Sequence, residues 1–440
     1  MEARCGPPLS KEKQMSRIQG ALAVTTTAML LLTGCGSGSE TNPTATSAPA
    51  AAGSTAAPER ADADLVIWTD NLKADSIRAF AEDFGADNGI TVAVQVVSGE
   101  FQTALVTANA AGNGPDVFTG AHDMIGNLVQ NGSIDPLQIA PDQLKGYAET
   151  AVEAVTYNES VYALPYGIET LGLFRNTDIA PQAPATLEDA FAKGEEAVAA
   201  KKVEVPFSLP QGNSGDAYHM QPLYTSMGGY LFGSTAQGDP NPADLGVGGE
   251  GSLAAARKIH ALGEAGSGIL KRSISVDNSI SLFADGKAPY LVAGPWALNQ
   301  VEKAGIPFEV TPIPGFGGQA TAQPFAGVQG FYVASKGKNK AFAHEFVENA
   351  MNTEKGMTQM FEGAKLPPTM TTVREKVAGQ NPAIETFASA AESAQPMPAI
   401  PEMAAVFAPL GQAFAAIVGG AEPESTMRSA GETIAAAIGK

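Results

Sequence analysis

Cysteine and histidine are scarce in this 440-residue chain. The two cysteines, Cys5 and Cys35, both lie within the first 35 residues. The chain beyond Cys35 therefore contains no disulfide framework and no thiolate that could serve as nucleophile or metal ligand. The four histidines are scattered without metal-ligand spacing, at His122, His219, His260 and His344. We expect no metal site in the folded part.

Positive charge is also in short supply. Lys and Arg total 27 against 46 for Asp and Glu, which gives a net charge of −19. A protein this acidic repels phosphate backbones and anionic lipid, so we expect no nucleic-acid partner. With 44% hydrophobic and 17% charged residues, the composition is that of a globular protein. A length of 440 residues suits two lobes or domains better than a single hydrophobic core.

Motifs of common enzyme classes are missing as well. The sequence has no GxSxG elbow, HExxH pair or Walker loop. Gly246, Gly248 and Gly251 fit GxGxxG, but they follow DPNPADL rather than a buried strand, which favours a turn. Asp and Glu are frequent, yet no spacing indicates an acid–base pair. We therefore expect no catalytic residue, no cofactor and no enzymatic activity.

The N-terminus has the features of an export signal. Arg17 precedes an apolar run at 21–32, which is shorter than the roughly 20 residues of a membrane span but suits a signal-peptide core. Leu-Thr-Gly-Cys at 32–35 then resembles the lipobox of bacterial lipoproteins. We predict a signal peptide over 1–34, with Met15 as an alternative start, and a lipidated Cys35.

Residues 35–63 are rich in Gly, Ser, Thr, Pro and Ala, a composition typical of a flexible tether. A lipid at one end and a globular body at the other predict a protein held at the outer face of the bacterial cytoplasmic membrane. The lipid anchor is its only expected contact with the membrane. More than one acyl chain is needed for stable attachment.

From Asp64 onward, strand-like and helix-like segments alternate. LVIWTD, ITVAVQVV and PDVFTG are apolar runs of strand length, and SIRAFAEDFGADNG and FQTALVTANAAG between them have helical spacing, the first with Gly89 as its stop. This alternation predicts a parallel sheet, whose ligands gather at the carboxyl ends of its strands. Further on, VYALPYGIETLGLFRN holds two strand-like runs around Tyr166–Gly167. Thr186 is a plausible N-cap, and the C-terminal part is mostly helical.

The stretch GPDVFTGAHDMIG, at 114–126, belongs to a set of segments that together indicate a family. They include LVIWTD, VYALPYGIETLGLFRN, DAYHMQPLYTSMGGYLF, YLVAGPWALNQ, TPIPGFGGQATAQPFAGVQGFYVAS and MPAIPEMAAVF. In this order and spacing, from about Leu65 to the C-terminus, the chain resembles the maltose/maltodextrin-binding proteins, the extracellular solute-binding lipoproteins of bacterial carbohydrate ABC importers.

The resemblance implies an α/β fold of the periplasmic-binding-protein type. Such a fold is a two-lobed clamp with three interlobe crossovers and a ligand cleft between the lobes. The first lobe would comprise 65–167 and 328–378, and the second 168–327 and 380–440. The resemblance further implies a monomer that binds maltose or maltodextrin and delivers it to the permease subunits of the importer.

Eight residues occupy positions that bind sugar in the family. Carboxylates accept strong hydrogen bonds from hydroxyl groups, and flat aromatic rings cover the apolar faces of a sugar. The resemblance makes Asp123 and Glu169 hydroxyl acceptors, with further contacts from Asp216 and Tyr218. It makes Trp296 a stacking ring and places Phe407 where a second stacking aromatic, normally Trp, is found. Asp70 and Lys73 match a polar contact loop.

Simpler roles stay open for several of these positions. Asp123 could cap the following helix, and Trp296 or Phe407 could be core residues. Glu169 would be costly to bury on an apolar strand without a partner. His122 is expected to be structural rather than a ligand contact.

The chain also departs from the family, with Gly120 where an aromatic is frequent and Met124 where a basic residue is usual. These departures alter one subsite, so maltose, longer maltodextrins and trehalose all remain candidate ligands. The alternative functions are an extracellular glycan-acting enzyme and a receptor for another solute, such as a peptide or a polyamine.

Overall fold

The computed structural model describes residues 59–98, 101–236, 238–379 and 381–439. The predicted signal peptide, Cys35 and the tether up to residue 58 lie outside the described residues. Within them, helices and strands alternate as a mixed α/β fold, which confirms the predicted fold class at that level.

The strands of the described part are short, as is usual in globular proteins. They are β1 (Leu65–Thr69), β2 (Val92–Val96), β3 (Val117–Ala121), β4 (Ile134–Asp135), β5 (Thr156–Tyr157), β6 (Ser160–Val161), β7 (Ala163–Glu169), β8 (Gly172–Asn176), β9 (Phe232–Ser234), β10 (Pro240–Leu245), β11 (Tyr290–Ala293), β12 (Phe308–Thr311), β13 (Phe325–Ala334) and β14 (Gln395–Pro396).

The α-helices become more frequent towards the C-terminus, as predicted. They are α1 (Ala74–Asn88), α2 (Phe101–Ala110), α3 (Ile125–Gln130), α4 (Pro141–Leu144), α5 (Glu149–Ala154), α6 (Leu187–Ala199), α7 (Ala217–Ser226), α8 (Glu250–Leu262), α9 (Ser279–Ala284), α10 (Leu298–Ala304), α11 (Lys340–His344), α12 (Glu354–Ala364), α13 (Thr371–Ala378), α14 (Pro382–Ser393), α15 (Phe407–Val418) and α16 (Pro423–Ile438). Short 3-10 turns cover His122–Met124, Pro295–Ala297 and Pro401–Ala405, and a π-helical stretch, Glu345–Ala350, continues α11.

The larger sheet has the strand order β14-β13-β3-β1-β2, with β4 and β7 also paired to β13. Strands β1, β2 and β3 run parallel, as the alternation of strands and helices predicts. Every residue of β1 is buried, which explains why its sequence is a continuous apolar run rather than an alternating one. Strand β13 is antiparallel to both β3 and β7 and lies between them.

A smaller antiparallel sheet has the order β11-β8-β12. The chain reaches it through Thr170 and Leu171, which separate β7 from β8. The two strand-like runs of this region therefore exist, but the division between them lies there. Tyr166 and Gly167 are inside β7, where cross-strand pairing with β13 keeps the backbone extended.

Two features connect the larger and smaller sheets. Helix α14 contributes Ala391 to the core beside β3 and β7, and it contributes Phe387 to the core beside β8. The ring of Phe387 lies 5.8 Å from that of Phe174. Trp296, which follows β11, packs against core residues of both sheets.

Two predicted helix boundaries are confirmed. Helix α1 stops at Gly89, which has a φ of 67° and so adopts the left-handed conformation typical of a helix C-terminus. Thr186 caps α6, because its hydroxyl accepts from the backbone N–H of Asp189, while the Asp189 carboxylate accepts from the N–H of Thr186.

One segment of the described chain, Pro401–Val418, is apolar and long enough to cross a membrane by length and composition. Half of it is buried inside the protein. Leu410, Phe414 and Ile417 on α15 are fully buried in the core that includes residues of α7 and α8. The burial explains the apolar composition, and we interpret α15 as a core helix.

The packed body begins before Asp64. The Arg60 guanidinium donates to the backbone carbonyl of Gly114 and to Asp116 Oδ2, both at 2.6 Å. Asp116 is fully buried and also accepts from the backbone N–H groups of Val66 and Asn339, at 2.7 and 2.9 Å. Through its ion pair with Asp116, Arg60 therefore attaches the end of the predicted tether to strands β1 and β3.

We expect Arg60→Met to lower the free energy of unfolding by about 3 kcal/mol, because it leaves a buried carboxylate without its cation. Urea denaturation of the variant and the parent protein measures this difference. Arg78→Met is the matched control: its partner Asp75 is almost fully exposed, so that change should stay within about 0.5 kcal/mol. Equal effects of the two substitutions would contradict a structural role for the Arg60 pair.

Candidate ligand-binding cavity

The stretch GPDVFTGAHDMIG folds as strand β3 followed by a 3-10 turn and α3. His122, in the turn, is buried and bonded to backbone on both ring nitrogens. Nε2 lies 3.0 Å from the carbonyl of Met397, and Nδ1 accepts from the N–H of Val328 at 3.1 Å. Burial lowers the pKa of His122 to about 4, so the ring is neutral and donates from Nε2. His122 thus holds the Met397 segment against β13, which is the structural role expected for it.

A cavity of about 330 Å³ opens at the carboxyl end of β3. This volume lies at the lower end of the range usual for small-molecule sites. Five of the eight predicted site residues line it, together with four that were not predicted. The lining residues are Leu72, Ala121, Asp123, Glu169, Tyr218, His219, Trp296, Met397 and Phe407.

Strand register brings the two carboxylates of the cavity together. Gln329 of β13 pairs with Ala121 on one side and with Gly167 on the other. Asp123 follows Ala121 by two residues, and Glu169 follows Gly167 by two. The carboxylates therefore emerge beside the same position of the central strand.

Asp123 does not cap the helix that follows it. The turn His122–Met124 and α3 have no side-chain cap, and the carboxylate bonds to no described residue but its own backbone N–H. Burial, with a smaller contribution from the negative charge of Glu169, raises the pKa of Asp123 to about 7. A carboxylate that is partly removed from water and left without a cation is poised to accept a hydrogen bond from a ligand.

Glu169 is held more firmly than Asp123. Its Oε1 accepts from the amide Nε2 of Gln329 at 2.8 Å. Burial raises the pKa of Glu169, whereas the positive charge of Lys73 and the Gln329 bond act in the opposite direction. The side chain is therefore fixed in place, and its second oxygen has no partner among the described residues.

The neighbours His122 and Asp123 have opposite effects on how stability depends on pH. The raised pKa of Asp123 means that its unfavourable contribution is absent below pH 4 and grows as the pH rises to about 7. The lowered pKa of His122 means that its favourable contribution is complete above pH 6.5 and is lost as the pH falls to about 4. Between these limits the two contributions partly cancel.

Aromatic side chains also line the cavity. The Tyr218 ring lies 6.3 Å from the Trp296 ring and 6.2 Å from that of Phe325, which in turn lies 6.3 Å from Phe407. Trp296 and Phe407 are only partly buried, so each presents ring surface to the cavity. The Tyr218 hydroxyl is buried without a partner among the described residues, and burial keeps its pKa well above 10, so it is a hydrogen-bond donor.

The GPW sequence sets the position of the indole. A Cβ on Gly294 would lie 2.1 Å from Cζ3 of Trp296, far closer than carbon atoms approach. Glycine is therefore required at this position for the indole to fold back over the backbone.

Asp216, Asp70 and Lys73 do not line the cavity. Asp216 caps α7 by accepting from the backbone N–H of His219 at 2.9 Å, and its other oxygen lies 2.7 Å from Nδ1 of the same residue. Asp70 accepts from the backbone of the turn that follows it and forms an ion pair with Lys73. All three support residues that line the cavity: Asp216 orients His219, Asp70 accepts from the backbone N–H of Leu72, and the charge of Lys73 acts on Glu169.

The sequence contained a signal for one cavity residue that was not predicted, His219. Asp216 and His219 are three positions apart at the start of a helix, the spacing at which a cap can also orient the later side chain. The His219 ring lies edge-on to Trp296 at 6.2 Å. No comparable signal marked Leu72, Ala121 or Met397, which contribute apolar surface.

The two departures from the family, Gly120 and Met124, lie next to each other and depend on each other. A Cβ on Gly120 would lie 2.1 Å from the terminal methyl of Met124. The Met124 side chain therefore occupies the space that a side chain at position 120 would need. An aromatic at 120 would require Met124 to change conformation.

Three relatives cover most of the chain. The galactooligosaccharide-binding protein of Bacillus subtilis is 27% identical over 380 residues, which is 84% of this chain and 88% of that protein. The maltodextrin-binding protein MdxE of the same organism is 29% identical over 350 residues, 78% of this chain and 82% of that protein. A maltooligosaccharide ABC transporter solute-binding lipoprotein of Streptococcus pneumoniae is 25% identical over 396 residues, 88% of this chain and 89% of that protein.

The family described as bacterial extracellular solute-binding protein matches residues 79–386. The matched range contains the carboxylates and rings of the cavity apart from Phe407. Since the match spans well over half of the chain, this protein belongs to the family of bacterial extracellular solute-binding proteins.

Proposed function

We propose that this protein binds a neutral oligosaccharide, with maltose or a maltodextrin as the first candidate, and delivers it to the permease of an ABC importer. The observation that carries the proposal is the cavity itself. Two carboxylates, Asp123 and Glu169, line it together with the rings of Trp296, Tyr218 and Phe407, and neither carboxylate forms an ion pair with a described residue. Names of relatives that refer to maltodextrin and maltooligosaccharide support the same class of ligand.

A sugar satisfies both halves of such a cavity. Its hydroxyls donate to the carboxylates, and charge-assisted bonds of this kind are stronger than neutral ones. Its apolar C–H faces cover the aromatic rings and remove their surface from water. A polyamine would be attracted by the carboxylates, but the raised pKa of Asp123 and the largely apolar lining disfavour charge in this cavity.

We further propose that the larger and smaller sheets belong to two lobes that close around the ligand. The lobes would comprise 65–167 with 328–378, and 168–327 with 380–440. Asp123 would then come from the first lobe and Tyr218, Trp296 and Phe407 from the second, while Glu169, the last residue of β7, would lie at the crossover between the lobes. Closure requires that the sugar bind the closed arrangement more tightly than the open one.

The proposed cellular position follows from export and anchoring. Membership of an extracellular family supports a location outside the cytoplasm, and one relative is named a lipoprotein. Lipidation of Cys35 would hold the protein at the membrane surface, where a permease can receive the ligand. We propose that it acts there as a monomer and without catalysis.

Calorimetric titration tests the ligand class. We expect binding of maltose or maltotriose, recovery of the sugar uncleaved, and no binding of a tripeptide or spermidine. Asp123→Ala should weaken sugar binding about ten- to a hundredfold, because it removes a charge-assisted hydrogen bond worth about 1.5–3 kcal/mol. Cleaved sugar would reject the binding function in favour of a glycan-acting enzyme, and binding of peptide alone would reject a sugar as ligand.

Thr186→Ala is the control for this titration. Thr186 is a true N-cap outside the cavity, so its loss should lower the free energy of unfolding by about 1 kcal/mol and leave the affinity for sugar unchanged. If Asp123→Ala behaved like Thr186→Ala, Asp123 would have no role in binding.

Sugar binding should depend on pH through Asp123. Hydroxyls that donate to the carboxylate favour its ionised form, so binding lowers a pKa that is about 7 in the free protein. The affinity should therefore rise as the pH increases from 5 to 8, by up to tenfold for each unit by which the ligand lowers that pKa. Titrations at these pH values should give a flatter profile for Asp123→Asn; an unchanged slope would assign the titration to another group.

Cys35→Ser should move the protein from the membrane fraction to the medium without altering its affinity for sugar. Fractionation of expressing cells followed by immunoblotting measures the distribution. Cys5→Ser is the matched control, since the only other cysteine lies outside the lipobox and its loss should leave the protein at the membrane. Retention of Cys35→Ser at the membrane would reject the anchor.

A further inference from the structure

Asp216 bonds to His219 through both of its carboxylate oxygens. Oδ1 accepts from the backbone N–H of His219 at 2.9 Å, and Oδ2 lies 2.7 Å from Nδ1 of the ring. The side chain of His219 is 9% exposed and that of Asp216 is 17% exposed, so little water competes for this contact. Both oxygens of Asp216 are therefore engaged with one residue before any ligand binds.

The contact between Asp216 and the ring sets the tautomer of His219. An ionised carboxylate can only accept a hydrogen bond, so Nδ1 of the ring must donate to it. A neutral imidazole that carries its proton on Nδ1 has a bare Nε2, which is an acceptor. Nε2 forms no hydrogen bond with a described residue, and the ring lines the cavity beside Trp296. Asp216 thus leaves a free acceptor on a residue of the cavity wall.

The surrounding backbone and rings hold this pair in position. Gly215, which immediately precedes the cap of α7, has a φ of 83°, and a Cβ there would overlap the carbonyl oxygen of Gly411 on α15. Glycine therefore lets the start of α7 approach α15 closely. The His219 ring packs edge-on against the rings of Tyr218 and Trp296, at 5.4 and 6.2 Å. Packing and the hydrogen bond thus both restrict the orientation of the imidazole.

A neutral acceptor differs from the two carboxylates of the cavity. It carries no charge, so removing it from water costs less free energy than burying ionised Asp123 or Glu169. Tyr218, the residue before His219, has a buried hydroxyl that donates and has no partner among the described residues. Consecutive residues of α7 therefore offer a donor and an acceptor. A sugar hydroxyl suits such a pair, because it both donates and accepts.

We infer that Nε2 of His219 accepts a hydrogen bond from one hydroxyl of the sugar, and that Asp216 is the positioning residue that sets the tautomer for this bond. The inference rests on the proposed function and deepens it, because it assigns a specificity-determining contact and the residue that controls it. Asp216 then acts on the ligand through His219, in place of the direct contact that the resemblance implies.

Asp216→Asn tests the positioning role. Asn is as good a helix N-cap as Asp, so its amide oxygen can still accept from the backbone N–H of His219 and the melting temperature should change little. Its amide nitrogen donates to Nδ1 and so moves the imidazole proton to Nε2, which then donates instead of accepting. Calorimetry at about pH 8.5, which favours a neutral imidazole, should show that this variant binds maltose about tenfold more weakly than the parent protein.

His219→Phe completes a double-mutant cycle with Asp216→Asn. Phe keeps a ring against Trp296 but has no acceptor, so this variant should also bind maltose about tenfold more weakly than the parent. Asp216→Asn should then have no further effect on affinity, because no tautomer remains to be set. If His219→Phe proves too unstable to titrate, His219→Gln takes its place in the cycle. Its amide oxygen can accept in place of Nε2 whether position 216 is Asp or Asn, so Asp216→Asn should again have no effect.

A second histidine–carboxylate pair is the matched control. Nδ1 of His344 lies 2.7 Å from Oε1 of Glu348, and neither residue lines the cavity. Glu348→Gln and His344→Phe should each leave the affinity for maltose unchanged.

The outcomes separate the inference from the proposed function. Undiminished affinity in Asp216→Asn would leave Asp216 as a helix cap only, and undiminished affinity in His219→Phe would remove Nε2 as an acceptor. An equal loss from Asp216→Asn with and without His219→Phe would show that Asp216 contacts the sugar directly. Each of these results would overturn the inference and leave the cavity as the sugar site. Absence of maltose binding by the parent would overturn the proposed function, and the inference with it.

Discussion

The cavity depends on two carboxylates that the fold brings together and partly removes from water. Burial favours the neutral form of both Asp123 and Glu169, and the negative charge of Glu169 adds to this effect on Asp123. The surrounding protein offsets the unfavourable free energy only in part, through the Gln329 amide and the more distant charge of Lys73. A ligand that donates hydrogen bonds to the carboxylates supplies the donors that the surrounding protein provides only in part. The same arrangement that makes the empty cavity unfavourable for charge therefore favours a hydroxylated ligand.

Strand β13 makes this arrangement possible. It follows the strands of the smaller sheet in the sequence and lies between β3 and β7 in the larger sheet. The ends of β3 and β7, which are distant in sequence, therefore lie on either side of Gln329. The backbone N–H of Val328 and the side chain of Gln329 come from this strand and hold His122 and Glu169. His122 in turn fixes the Met397 segment, which leads to Phe407. Strand β13 thus supports both the carboxylates and the chain segment that leads to Phe407.

The local sequence pattern predicted many of the helices and strands, because these elements and their ends depend on residues that are close together in the sequence. Apolar runs of strand length became β1 and β3, Gly89 ended α1, and Thr186 capped α6. The division between β7 and β8 was placed wrongly, because it depends on which residues pair with β13 and not on a turn signal. The start of the body was missed for a similar reason: the segment around Arg60 is held by residues distant in sequence, among them the buried Asp116, 56 residues away.

Five residues of the candidate site could be predicted through the resemblance. Asp123, Glu169, Tyr218, Trp296 and Phe407 all line it, as the resemblance implied. Asp70 and Asp216 do not, because the backbone N–H groups of a turn and a helix start bind their carboxylates, and Lys73 forms an ion pair with Asp70 instead. Whether a polar side chain faces a ligand or caps its own helix is set by geometry that sequence spacing does not contain. The apolar lining from Leu72, Ala121 and Met397 was missed because apolar residues have no distinctive spacing when they come from separate loops.

Selectivity in this cavity must come from few groups. Among the described residues that line it, the polar side-chain groups are the two carboxylates, the Tyr218 hydroxyl, the His219 ring and the indole N–H of Trp296, while the other side chains offer carbon. Apolar surface discriminates weakly between ligands of similar shape, whereas a buried polar group left unpaired excludes an analogue strongly. The side chain of Met124 lies over Gly120, so no side chain can be added at position 120 unless Met124 moves. If the proposed function holds, recognition of individual hydroxyls would therefore be concentrated at the carboxylates, because these are the buried polar groups that a wrong ligand would leave unpaired.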